Sequence, residues 1–329
     1  MRKSILFNLV CMLMVLVACE QAALPTQPEP IIAKREQPVL FRENGLVSDP
    51  SVIRYQDELL MVYSDYDLQT DSISFNLVKS DDGINWTPYR SGADTRIFSG
   101  NVASWDKLIE TPYLMVRNDS VYLYYIGYPD SELINGIYES SIGVAVGVSP
   151  DDLIRPQTSP ILERGGLRDK DAMTSPSIVE FEGLYYMIYT GWADVLTSDG
   201  FLGQTAATSE DGIRWTKTDR NLIPEVQETA FETATETEVI KGPDQQFYLF
   251  FSAEGGIALA RSESPLGPWD IYPQMLIESE HAWEAGEVVA PTVLIEDGKM
   301  RIWYTGVIGL FEGASIGYAE MDFPLVWPD

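Results

Sequence analysis

The 329-residue chain carries 22 basic and 50 acidic residues and one histidine, a formal net charge of −28. Such a chain repels phosphate backbones, which argues against a nucleic-acid partner. Its apolar fraction of 45%, with 17 tyrosines, 12 phenylalanines and 8 tryptophans, supports a large core and excludes wholesale disorder. Cys11, Cys19 and His281 are the whole complement of cysteine and histidine. They exclude a Cys/His zinc cluster, a Cys–His dyad in a mature domain and a disulfide framework. Length alone suggests about two domains.

The chain begins with Arg2 and Lys3, followed by an apolar run from Ile5 to Val17 broken only by Asn8. That run is short for a bilayer span and reads as a signal peptide. It ends Leu16-Val17-Ala18-Cys19, which resembles the cleavage box of bacterial lipoproteins. The resemblance implies removal of residues 1–18 and lipidation of Cys19, with membrane contact through the lipid only. Residues 19–37, rich in Pro and Gln, read as an extended tether. The expected location is the bacterial cell envelope.

Five short segments then recur at intervals of 54 to 64 residues: Asp49-Pro50-Ser51-Val52, Thr111-Pro112-Tyr113-Leu114, Ser175-Pro176-Ser177-Ile178, Glu236-Thr237-Glu238-Val239 and Ala290-Pro291-Thr292-Val293. Each is followed, after a polar turn, by an apolar and aromatic segment: Leu59–Tyr63, Val121–Tyr125, Leu184–Tyr189, Phe247–Phe251 and Met300–Tyr304. Such segments read as strands. A third strand follows in each unit, at Ser74–Ser80, Ile142–Val148, Gly203–Ser209, Ile257–Ser262 and Ser315–Met321. Two of these run into matching turns, Ser80-Asp81-Asp82-Gly83-Ile84-Asn85-Trp86 and Ser209-Glu210-Asp211-Gly212-Ile213-Arg214-Trp215. Segments such as Ser159–Leu162 and Asn221–Pro224 supply a fourth, outer strand.

Five units of about 60 residues with four strands each predict an all-β, five-bladed β-propeller over residues 38–329. The last unit stops short of its outer strand, and Gln37-Pro38-Val39-Leu40-Phe41 has the sequence type of the missing piece. Ring closure by this segment removes an open edge. The ring is one domain, and a monomer is expected.

In such a ring the residues just before the inner strands converge on the axis. Asp49, Glu110, Asp171, Glu236 and Glu287 occupy those places, with Trp105 and Trp283 nearby. Crowded carboxylates raise one another's pKa, which separates a charged base from a protonated acid. Cleavage of a glycosidic bond needs that division, and exposed indole faces stack on sugar rings. Trp86, Trp215 and Trp269 follow outer turns and read as packing between blades.

The five-fold plan, Asn44-Gly45 with Ser48-Asp49-Pro50-Ser51-Val52, and Ile109-Glu110-Thr111-Pro112-Tyr113-Leu114 resemble glycoside hydrolase families 43 and 32 and their relatives. The resemblance implies hydrolysis of a furanoside-type or related bond in an oligo- or polysaccharide. Asp49 would be the base or nucleophile. Glu110 matches the local pattern of the acid, with Glu236 its rival and Asp171 a further carboxylate. The family usually carries its acid one blade later, after an Asp-Pro, and no Arg-Asp-Pro occurs here. Asn44, Trp105, Trp283, Glu287 and Arg168 are candidate substrate contacts. No cofactor is required. A structural calcium ion in the central channel, with His281 as a candidate ligand, follows from some family 43 members. The competing readings are a non-catalytic propeller that binds glycan or protein, and a mannoside phosphorylase. The latter needs a basic pocket, for which Arg42, Lys107, Arg168 and Lys170 are the candidates.

Overall fold

The computed structural model describes residues 32–92, 94–129, 138–197, 200–224, 226, 229, 231, 233–309 and 312–327. The expected leader over 1–18, the lipidation site Cys19 and most of the tether lie outside these residues.

Five antiparallel sheets stand around one axis, each following chain order from the inside out. The N-terminal β1 (Ala33–Lys34) belongs to the last of them. Blade one contains β2 (Gly45–Tyr55), β3 (Glu58–Asp67), β4 (Ser72–Ser80) and β5 (Thr87–Pro88), with β6 (Arg96–Ser99) also on β4. Blade two contains β7 (Leu108–Arg117), β8 (Ser120–Tyr128) and β9 (Ser141–Gly147). Blade three is β10 (Ala172–Phe181), β11 (Leu184–Ala193), β12 (Phe201–Ser209) and β13 (Thr216–Lys217). Blade four is β14 (Thr235–Lys241), β15 (Phe247–Ala253), β16 (Gly256–Ser262) and β17 (Asp270–Ile271), with β18 (Ile277–Glu278) also on β16. Blade five is β19 (Glu287–Glu296), β20 (Lys299–Gly309), β21 (Gly313–Asp322) and β1.

The blades therefore hold three to five strands instead of a uniform four. In blade two the outer position is filled by isolated bridges, Leu162 to Ile142 and Ile154 to Val146. The ring closes as expected, with Leu40 bridging Ile316, but closure begins earlier than Gln37. Ala33 and Lys34 already pair with Glu320 and Ala319, so the tether expected over 19–37 ends before Ala33.

Each second strand is buried on both faces, and alternate residues serve different neighbours. Leu60 and Val62 pack with Leu114 and Leu123 of blade two, while Leu59 and Met61 pack with Trp303 and Ile316 of blade five. The same division gives an apolar seam between every pair of adjacent blades. Two buried faces explain why these strands read as continuous apolar runs instead of a strict alternation. The polar turns dock the blades further. Gly83 O accepts the indole N–H of both Trp86 and Trp303, at 3.1 and 2.7 Å. Gly212 O accepts Trp215 Nε1–H and the Tyr124 hydroxyl at 3.1 and 3.0 Å. Trp86, Trp215 and Trp269 thus pack in the seams between blades.

Three blades carry a buried carboxylate in the loop that enters the inner strand. Asp106, Asp169 and Glu284 accept the hydroxyls of Tyr125, Tyr189 and Tyr304 at 2.9, 2.8 and 3.0 Å. Each is also paired with a cation from the outer part of its own blade: Arg155 at 2.6 Å, Lys217 at 2.7 Å and Lys34 at 2.5 Å. The triads staple the inner loop to the outer strand, and Lys34 adds the ring-closing segment to blade five. Burial without the counter-charge would strand the carboxylate in a poor solvent for it. Lys34→Met is therefore expected to lower unfolding stability by about 3–5 kcal/mol in urea titrations. The double variant Lys34→Met/Glu284→Leu should recover a large part of that loss.

Candidate active site

The register sets the start of each inner strand beside the end of its second strand, as with Gly45 and Asp67, Leu108 and Tyr128, and Ala172 and Trp192. The loops at this end form the mouth of the ring. Just inside it, every inner strand breaks register: after Ser48, Glu110, Thr174, Thr235 and Val289. The residues at the breaks, Asp49, Thr111, Ser175, Glu236 and Ala290, have φ of 51°, 49°, 51°, 42° and 50°. A left-handed residue in a bulge re-aims its side chain, and non-glycine residues adopt it only when their surroundings enforce it.

The enforcement comes from the neighbouring blade. The amides of Asp49, Glu236 and Ala290 donate to hydroxyls of Thr305, Thr190 and Ser252 at 2.9, 2.9 and 3.0 Å. Ser175 N–H donates to Thr111 Oγ1 at 3.2 Å. Three residues further on, the amides of Val52, Leu114 and Val239 donate to Thr292, Ser51 and Ser177 at 3.1, 2.9 and 2.9 Å. All five bulge residues line an axial cavity of about 30 Å³, together with Glu238 and the four prolines that follow a bulge. That space matches about one water molecule.

Asp49 and Glu236 occupy the same structural position in blades one and four. Glu110 does not, because Thr111 fills that position in blade two and Glu110 pairs with Ile126 just before the break. The Asp49 charge nonetheless reaches Glu110. Burial, reinforced by the Asp49 charge, raises Glu110 to about 7, and the same causes with Glu287 raise Glu236 to about 7. Burial also raises Asp49, a rise opposed by the Ser48 hydroxyl, which donates to Oδ2 at 2.9 Å. The rise of Glu236 is opposed by Ser252, whose hydroxyl donates to Oε2 at 2.9 Å, and that of Glu110 by Tyr128, whose hydroxyl donates to Oε1 at 2.7 Å. The Asp49 charge raises both glutamates and neither raises Asp49, so Asp49 ionises first and Glu110 and Glu236 keep their protons longer.

The remaining candidates lie elsewhere. Asp171 accepts the amide of Asp194 at 2.6 Å at the mouth of blade three and is not among the residues lining the cavity. Glu287 is exposed at the start of β19, and Asn44 is exposed in the turn before β2. Arg168 turns outward, over the Phe201 ring and toward Asp219 O. Trp105 and Trp283 stack on the interior tyrosines Tyr125 and Tyr304, at 6.2 and 6.1 Å, away from the axial lining. His281 precedes the short 3-10 helix Ala282–Glu284 and stacks on Trp283, so it does not reach the central channel. Among the described residues no group of three or more His, Cys, Asp or Glu is arranged to hold a metal ion. Sequence reading passed over Tyr128, Ser252 and Glu238. Cross-strand pairing supplies the first two, since each sits on the second strand close to its acid.

No family model matches the chain, and no curated protein matches it. Its fold is shared with solved glycan-processing propellers. One represents the GH130 family of mannoside phosphorylases, described as containing glycoside hydrolases that target β-1,2 mannosidic linkages in Candida mannan. It is 14% identical with a TM-score of 0.67, over 93% of this chain and 98% of its own. A thermostable family-43 glycoside hydrolase is 15% identical with a TM-score of 0.60, over 87% and 95%. An endo-arabinase from Bacteroides thetaiotaomicron is 14% identical with a TM-score of 0.63, over 85% and 95%. Similarity at this level establishes the five-bladed architecture.

Glu238 adds a testable property. Burial raises it to about 8, against hydrogen bonds from Thr292 and the Val293 amide. Glu110, Glu236 and Glu238 thus hold protons in the folded state that the unfolded chain releases above about 4.5. The stability they contribute is complete below that value and is lost as pH rises through 7 to 8. Thermal unfolding should show a lower midpoint at about pH 8.5 than at about pH 5, and Glu238→Gln should flatten the decline.

Proposed function

We propose that the protein hydrolyses glycosidic bonds of a neutral oligo- or polysaccharide. The observation that carries this reading is that Asp49 and Glu236 line the axial cavity, with Glu110 one residue before the bulge residue Thr111 and near enough for the Asp49 charge to raise it. Asp49, which ionises first, serves as base or nucleophile, and Glu110, kept protonated by burial and by the Asp49 charge, is the general acid. Glu110 gives its proton to the leaving oxygen while Asp49 activates a water or attacks the sugar carbon. The Asp49 charge keeps the field negative, which favours the positive charge that develops on the sugar ring, while Glu236, raised like Glu110 to about 7, lines the same cavity as a second protonated carboxyl.

The basic residues near the mouth favour hydrolysis over phosphorolysis. Arg42 is held by Asp65 and Asp67, and Lys170 by Asp194 at 2.6 Å. Arg168 turns away from the axis, and Lys107 is exposed before β7. A phosphate ion would have to displace carboxylates from their partners in an already acidic site.

The test is a panel of β-1,2-mannooligosaccharides and arabino-oligosaccharides of about two to five units, chosen on the activities named for proteins of this fold. Asp49→Asn and Glu110→Gln should each lower kcat/KM by roughly 10²–10⁴-fold. The product should be free reducing sugar, with no acceleration by inorganic phosphate. Unchanged binding and no turnover in all three proteins would replace the hydrolase by a glycan-binding propeller. Activity should also fall as pH rises through about 7, where Glu110 loses its proton. Tyr128→Phe removes the hydrogen bond that favours the charged form, so this alkaline limb should move to higher pH. A limb that stays in place would remove Glu110 from the acid role.

A further inference from the structure

Blade two carries a second concavity on the mouth face, outside the axial site. It encloses about 380 Å³ and is lined by Trp105, Gly127, Glu139, Ser141, Glu163 and Arg164, among others. That size lies within the range of small-ligand sites. Its floor follows the sheet outward from the candidate acid. Glu110 pairs with Ile126, Ile126 with Ile142, and Ile142 with Leu162. The adjacent row toward the mouth runs Ile109, Gly127, Ser141, and then Arg164, whose amide donates to Ser141 Oγ at 3.1 Å. Strands lie about 4.8 Å apart, so the cleft begins roughly 5 Å from the inner strand and extends to roughly 15 Å. That reach accommodates more than one sugar ring.

The site is built in advance. Trp105 lies flat on Tyr125, with ring planes 8° apart. A Cβ at Gly127 or Gly143 would come within 2.6 or 2.9 Å of the indole, so glycine at both positions makes room for it. The next residue, Asp106, is locked by Tyr125 and Arg155, which fixes the loop that carries Trp105. Trp105 is still only half-buried, which leaves apolar ring surface for the cleft. Around it, Arg164 and Glu139 form an ion pair at 2.8 Å with each side chain about one-third exposed. Together with the Ser141 hydroxyl, these groups supply donors and acceptors for sugar hydroxyls, and the cation is already neutralised. An aromatic surface with a polar, charge-balanced rim suits a neutral carbohydrate.

We propose that this cleft is the subsite for the leaving-group side of an oligosaccharide whose scissile bond lies over Asp49 and Glu110. The inference rests on the hydrolase reading for its direction, because the acid that protonates the leaving oxygen belongs to blade two. Trp105 then contacts substrate beyond the axis, on the flank of the blade.

The experiment uses the full chain and both oligosaccharide series. Wild-type kcat/KM should rise about tenfold or more from the disaccharide to the pentasaccharide, as expected for one added charged or aromatic contact. Arg164→Ala and Trp105→Ala should bring that ratio toward one, whereas Arg214→Ala, an exposed change on an outer turn, should keep it. Thermal unfolding checks that the Trp105 variant is folded. Affinity for the disaccharide and the pentasaccharide of each series, measured by calorimetry on Glu110→Gln alone and combined with Arg164→Ala or Trp105→Ala, reads the cleft independently of turnover. A tenfold weakening supports it even if no sugar in the panel is hydrolysed, which would sink the hydrolase reading alone. Chain-length gain and affinity that survive both substitutions, or an absence of chain-length dependence in both measurements, overturn the subsite.

Discussion

In four of the five blades, the amide of the bulge residue is held by a hydroxyl of the blade before it. Without that grip, Asp49 and Glu236 would relax from left-handed φ into ordinary strand geometry, and their side chains would follow the sheet instead of the channel. The same contacts also bind blade to blade, so the ring's cohesion and the aim of its acids are one set of hydrogen bonds. A residue that breaks strand pairing is costly in isolation. Here four further blades repeat it, and each supplies part of its neighbour's constraint.

The buried carboxylate–tyrosine–cation triads act at right angles to this, from the inside of a blade to its outer edge. They explain why Asp106, Asp169 and Glu284 tolerate complete burial: each has a hydroxyl donor and a cation at hydrogen-bonding distance. In blade five the cation arrives with the N-terminal segment, so closure of the ring is electrostatic as well as a matter of strand pairing. In blade two the triad also holds the loop of Trp105, which links a stability device to the proposed outer subsite. The acidic residues of the chain are thus divided among structural acids paired with cations, axial glutamates that burial holds protonated to about pH 7 to 8, and surface residues.

The repeated Pro-x-aliphatic segments were legible because each marks the same bulge, and a bulge followed by proline is a local event. Asp49 and Glu236 were legible for that reason, as residues at the repeated position. Glu110 was found as a residue just before an inner strand, but its offset by one residue from the bulge became visible only with the register. Tyr128 and Ser252 bear on the acids across strands, at sequence separations of 18 and 16 residues, which no local pattern encodes. The tryptophans show the same limit in reverse. Trp105 and Trp283 precede inner strands, as axial residues should, yet glycines on their own blades accept the indoles flat against the sheet flank. Asp171 likewise precedes an inner strand, and only the structure shows it accepting the Asp194 amide outside the axial lining.

By itself the sequence determined the number of blades, the order of their strands, the closure by the N-terminal segment and the acidity of the axis. These depend on periodicity and on residues close together along the chain. Only the tertiary structure decided which acids share a pocket, which donors oppose their protonation, and which aromatic faces remain open. Those are properties of distance and burial between different blades, and a carboxyl's proton affinity depends on that surrounding space rather than on its neighbours in sequence.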